Sequence, residues 1–142
     1  MLIPGTNGGK MSKSANNIIN ISLDDKSLRK QVMSIETDST PLEDPKNPDT
    51  CNAFAIYSLL ANDEQIAAMK ANYLGGNYGY GHAKQALFEL ICEKFKTERK
   101  QYSYYMNNLT EVDALLKIGA QKASVVANGV LARVREKLGF EV

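Results

Sequence analysis

Residues 109–138 read LTEVDALLKIGAQKASVVANGVLARVREKL. Val112, Leu116, Gly119, Ala123, Val126 and Val130 recur at alternating steps of four and three, which places them on one seam of a helix. Such a seam is expected to pack against other helices. Gly119, Ala120, Ala123 and Ala127 are small enough for a close approach, while Val134 and Leu138 widen the seam toward Gly139, a C′ residue by position.

Working upstream, the same period returns. Ala83, Leu87, Leu90, Ile91, Phe95, Tyr102 and Tyr105 mark one long amphipathic helix that Asn107-Asn108 interrupts. Ile66, Met69, Tyr73 and Leu74 form a stripe opened by Asn62 with Gln65 three residues later and closed by Gly75-Gly76. Phe54, Tyr57, Leu60 and Ala61 share a face of a helix that Asp49 or Thr50 can cap. Ser22 with Asp25 is a variant capping box for a short helix through Leu28, Val32 and Ile35. Between these last two lies a loop, because Thr37 to Pro48 is rich in breakers. No convincing strand run follows the first few residues. The expectation is an all-α fold, a bundle of four to five helices preceded by an irregular Gly-rich loop.

Composition bounds the class. At 142 residues the chain can bury one sizeable core, and 44% hydrophobic with 23% charged residues excludes disorder as the default. The apolar runs are a few residues long, far short of a membrane span. Met1-Leu2-Ile3 stops at Pro4-Gly5 without a basic stretch, which argues against a secretory signal and for the cytoplasm. Cys51 and Cys92 have neither CxxC spacing nor a neighbouring histidine, so reduced, packed thiols are expected and no metal site. The net charge is +1, unevenly spread. Lys10, Lys13, Lys26, Arg29 and Lys30 make residues 1–34 basic, whereas residues 35–65 set seven acidic groups against Lys46 alone. Such a field can steer a polyanion, and it is equally what solvated helix faces produce.

The chemistry-bearing stretch is Gly8-Gly9-Lys10-Met11-Ser12-Lys13-Ser14, in a loop mobile by composition. A phosphate-binding P-loop fails on spacing: Gly5 and Gly9 enclose three residues rather than four, and Met11 follows Lys10. What remains is a flexible segment with two ammonium groups three residues apart, able to meet one polyphosphate.

Lys10 to Ser14 resembles, at all five positions, the Lys-Met-Ser-Lys-Ser signature of class I aminoacyl-tRNA synthetases. Ile3-Pro4-Gly5-Thr6-Asn7-Gly8, Thr37-Asp38-Ser39, Asn47-Pro48-Asp49, Tyr78 to Lys84 and Gly119 to Ala123 are similar, in order and spacing, to bacterial tryptophanyl-tRNA synthetases. The resemblance covers essentially the whole chain. It implies activation of tryptophan by ATP with Mg2+, then transfer to tRNA(Trp), in a cytoplasmic enzyme that is a homodimer when intact. Under it, Lys10 and Lys13 are the catalytic residues, acting on the diphosphate leaving group. Lys10, Met11, Ser12, Lys13 and Ser14 together bind ATP.

The resemblance further implies that residues 1–21 end a catalytic domain and residues 22–142 form a helical, anticodon-binding domain. Tyr102, Tyr104 and Tyr105 lie near Lys94, Lys96, Arg99 and Lys100, with Arg133 and Arg135 farther on. None is assigned individually to tRNA, and Tyr102 and Tyr105 are expected in the core. The family's nucleotide-binding sheet and His-Ile-Gly-His-type sequence are missing; His82 stands in a helical entry and does not supply it. A fragment cut just before the signature loop, inactive alone, is the expectation. Two alternatives stand beside it: a tyrosyl enzyme, which usually ends in a small basic RNA-binding module, and a non-enzymatic helical adaptor carrying the lysine loop by accident.

Overall fold

In the computed structural model, which describes residues 3–140, Asp24 rather than Ser22 opens the first helix. Its carboxylate accepts from the Ser27 amide at 3.0 Å, while the Ser22 amide turns to Asn20 Oδ1. A carboxylate serves here better than a hydroxyl because it caps an amide and opposes the helix dipole at once. The helices are α1 (Asp25–Met33), α2 (Asn52–Ser58), α3 (Asp63–Gly75), α4 (Tyr80–Lys94), α5 (Lys96–Asn107) and α6 (Leu109–Lys137), with a 3-10 turn at Pro48–Thr50. Among the described residues there is no strand, and the expected all-helical class holds.

Among the described residues six α-helices appear where four or five were expected. The long helix anticipated through Ala83 to Tyr105 is divided at Phe95, whose φ of −105° and ψ of 19° leave the helical basin. No glycine or proline marks the place. Before α2, Asn47 caps the 3-10 turn by accepting from the Asp49 amide, so neither Asp49 nor Thr50 serves as a side-chain cap. The Asn62–Gln65 capping box is present in full, with both reciprocal bonds at 2.8–3.0 Å.

The chain divides into two compact units, Met1–Lys100 and Gln101–Val142. In the first, α1 and α2 both pack on α4. Leu28, Val32 and Ile35 meet Phe54, Ile56 and Tyr57, Met69 and Tyr73, and Ala83, Leu87 and Ile91 in one core. Tyr73 is its centre, fully buried, with Phe54, Tyr78 and Tyr80 rings 5.6–6.1 Å away and its hydroxyl 3.3 Å from Cys51 Sγ. Burial holds the Tyr73 hydroxyl in its neutral form far above the usual phenol range. Both thiols are free, Cys51 buried and Cys92 half-buried against the Arg99 guanidinium.

The second unit contains the end of α5 and all of α6. Gly139, at φ 76°, closes α6 as expected: the Phe140 amide reaches Arg135 O and the Gly139 amide reaches Glu136 O, a Schellman arrangement. The seam expected to pack is not covered within this unit, where Leu116 and Val126 remain 65% and 70% exposed. Tyr102 and Tyr105, expected in a core, are exposed too.

Candidate functional site

The lysine loop is more ordered than its composition predicts. Pro4 and Lys10 form an isolated antiparallel bridge, with the Met11 amide on Ile3 O at 2.9 Å and the Gly5 amide on Gly9 O at 2.7 Å. Gly8 turns the chain at φ 76°, where any other residue is strained, and the Asn7 carboxamide oxygen accepts from the Gly9 amide. Lys10 leaves this turn exposed.

The following turn is tied separately. Ser12 Oγ accepts from the Ala15 amide at 3.1 Å and lies 3.3 Å from Ser14 Oγ, while the Asn16 amide reaches Lys13 O. Ser12 and Met11 are half-buried; Lys13 and Ser14 are exposed. The salt bridges among the described residues are Lys96–Glu93 and Arg99–Asp25, so neither Lys10 nor Lys13 belongs to one.

Below the loop sits a group that sequence reasoning missed. Asn17 is 2% exposed, and among the described residues it and Lys46 are the buried polar ones. Its carboxamide bonds to Asn7, Lys10 and Ser12, and its carbonyl accepts from the Thr6 amide. Thr6 O in turn accepts from the Glu36 amide at 2.7 Å, and Glu36 O accepts from Asn52 Nδ2. The loop is thereby rooted on the exit of α1 and the start of α2. The single available sequence signal was a polar residue directly before Ile18-Ile19, which is weak.

Other residues singled out in the sequence fall elsewhere. His82 is exposed on the first turn of α4, its ring 5.7 Å from that of Tyr78. Arg99 is engaged by Leu23 O and Asp25, and Lys94 by Leu60 O, so two of the cations counted near the tyrosines serve the helical core. In the second unit Tyr104 donates to Glu111 at 2.7 Å and stacks edge-on with Tyr105. No group of three or more metal-ligating side chains occurs among the described residues, and none of their helices is long and apolar enough to cross a membrane.

The lysine loop is thus turned at Gly8 and rooted on an all-helical body. The family model described as tRNA synthetases class I (W and Y) matches residues 1–96, and the chain belongs to that family. Its relatives include the tryptophan–tRNA ligases of Fusobacterium nucleatum, 45% identical over 98% of this chain and 42% of that protein, and of Campylobacter jejuni, 39% identical over 98% and 44%. The crystal structure of the Campylobacter jejuni tryptophanyl-tRNA synthetase with ADP and tryptophan superposes with a TM-score of 0.94 at 38% identity, covering 99% of this chain and 44% of that one. The chain thus spans less than half the length of these relatives.

Proposed function

We propose that the chain works within a tryptophan–tRNA ligase, which activates tryptophan with ATP and passes it to tRNA(Trp), and that Lys10 and Lys13 stabilise the departing diphosphate. Family membership and the 45% identity to a tryptophan–tRNA ligase support the substrate. The observation that carries the site is the pair of exposed lysines on a loop whose root is held by the helical core.

The chemistry follows from charge. As the tryptophan carboxylate attacks the α-phosphorus, the bond to the bridging oxygen breaks and negative charge grows on the diphosphate. Cations met mainly at that stage lower the barrier instead of merely tightening binding. Lysine suits the task because a compact ammonium on a long stem can follow a group that moves. Met11, Ser12 and Ser14 complete the ATP contact through an apolar wall, hydroxyls and backbone amides. Mg2+, carried with ATP, would supply charge neutralisation on the phosphates that these lysines share.

In this reading residues 1–21 close the catalytic domain and residues 22–142 serve anticodon recognition, with aromatic and basic side chains meeting unstacked bases and phosphates. The intact enzyme is a cytoplasmic homodimer. The test is ATP–pyrophosphate exchange by the full-length protein. Lys10→Ala and Lys13→Ala each lower kcat by on the order of 10²- to 10³-fold with the KM for tryptophan nearly unchanged. Equal losses in kcat and in tryptophan affinity sink the leaving-group role.

A further inference from the structure

The lysine loop is built around one carboxamide. Asn17 Nδ2 donates to Lys10 O at 3.1 Å and to Asn7 Oδ1 at 2.7 Å, while Asn17 Oδ1 accepts from the Ser12 amide at 2.8 Å. The residues on either side of Met11 are therefore clamped by the two ends of the same amide. The Asn17 carbonyl accepts from the Thr6 amide at 2.9 Å, which joins the clamp to the Glu36 and Asn52 root.

The site is matched to a carboxamide. It requires a donor toward Lys10 O and an acceptor toward the Ser12 amide at once, which among side chains of this size is the property of a carboxamide. Aspartate keeps the Ser12 bond but turns an acceptor toward the Lys10 carbonyl and the Asn7 oxygen. Glutamine carries an extra methylene into a space already closed, because a Cβ at Gly5 would lie 2.3 Å from Asn17 Nδ2. A buried amide left with unmatched partners is costly, so the cradle is specific for what occupies it.

We propose that Asn17 is a positioning residue of the activation step: by gripping the backbone at Lys10 and Ser12 it presents the Lys10 ammonium to the diphosphate from a fixed starting point. This rests on the reading of Lys10 and Lys13 given above. Asn17 touches neither nucleotide nor reacting atoms, and makes or breaks no bond; its effect passes through Lys10. Misplacing a charged group by about 1 Å costs up to about 10²-fold in rate, which sets the size of the effect.

The experiment is a double-mutant cycle in the full-length protein, read by ATP–pyrophosphate exchange. Asn17→Ala lowers kcat by about 10²-fold while the KM for tryptophan stays in place. Asn17→Asp, which keeps the size and the Ser12 bond, lowers it as well because the Lys10 contact is gone. On a Lys10→Ala background the same Asn17 changes cost far less, since the group they orient is no longer there. An unchanged kcat, equal factors in the two backgrounds, or loss of the folded circular-dichroism signal by both Asn17 variants overturns the proposal. If Lys10→Ala leaves kcat intact, the lysine reading itself has failed. If Lys10→Ala cripples the enzyme while Asn17 acts independently, the positioning inference fails alone.

Discussion

The Tyr80 hydroxyl donates to Asp38 Oδ1 at 2.5 Å, joining the entry of α4 to a loop 42 residues earlier. The bond draws Asp38 below the usual carboxylate range, with the Thr40 side chain and amide adding to the effect. Burial, then the carboxylate, pushes Tyr80 up to about 12. Asp38 is therefore stabilising above its unfolded value of 3.8 and loses that contribution as pH falls through its lower folded value. Tyr80 contributes fully below 10.0, and the contribution disappears as pH rises toward about 12. Tyr80→Phe is expected to cost about 1 kcal/mol near neutral pH. Urea denaturation at several pH values checks it: the gap between the two proteins narrows in strong acid and above pH 10, and a pH-independent gap counts against the pair.

Lys46 carries the second consequence. Its side chain is buried, and Nζ donates to Pro41 O, Leu42 O and Asp44 O at 2.8–3.2 Å while lying 5.5 Å from the Tyr80 ring centre. Lys46→Met keeps the length and removes the donor, leaving three carbonyls to be met otherwise. A loss of about 3 kcal/mol is expected, measured by chemical denaturation. A variant as stable as the parent shows the loop to be held by its backbone alone.

Glycines in two places predict opposite signs. At Gly8, φ is 76° and a Cβ would lie 2.6 Å from Asn52 Oδ1, so Gly8→Ala destabilises by about 2 kcal/mol. At Gly119, inside α6, a Cβ meets nothing within 4 Å, and Gly119→Ala favours the helix by about 1 kcal/mol. Thermal melts followed by circular dichroism compare the two, and shifts of the same sign contradict this assignment.

Much of this architecture was legible because helical periodicity and end signals are local. Asn62 with Gln65, Gly75-Gly76 and Gly139 each act within one turn, and each stands where the sequence indicates. Leu28 and Val32 show the same for a buried face, whereas Ile35, expected in the same helix, is buried from just beyond its end. The rest depends on partners far away in the chain. Nothing near Lys46 predicts a cation enclosed by carbonyls, and nothing near Phe95 predicts a break there. The lysine signature was readable as a string of residue types, yet Asn17 was not, because its partners are backbone groups that carry no sequence identity. Periodicity likewise identifies the apolar side of α6 but is silent about what lies opposite, and within its own unit that side stays uncovered.

The 29 residues of α6 form a rod about 42 Å long. At physiological salt the field of an exposed charge is screened out over about 8 Å, so Glu111 in its first turn and Arg135 and Lys137 in its last are electrically strangers. Two macromolecules gripping opposite tips would communicate by the stiffness of the shaft, and not through its field.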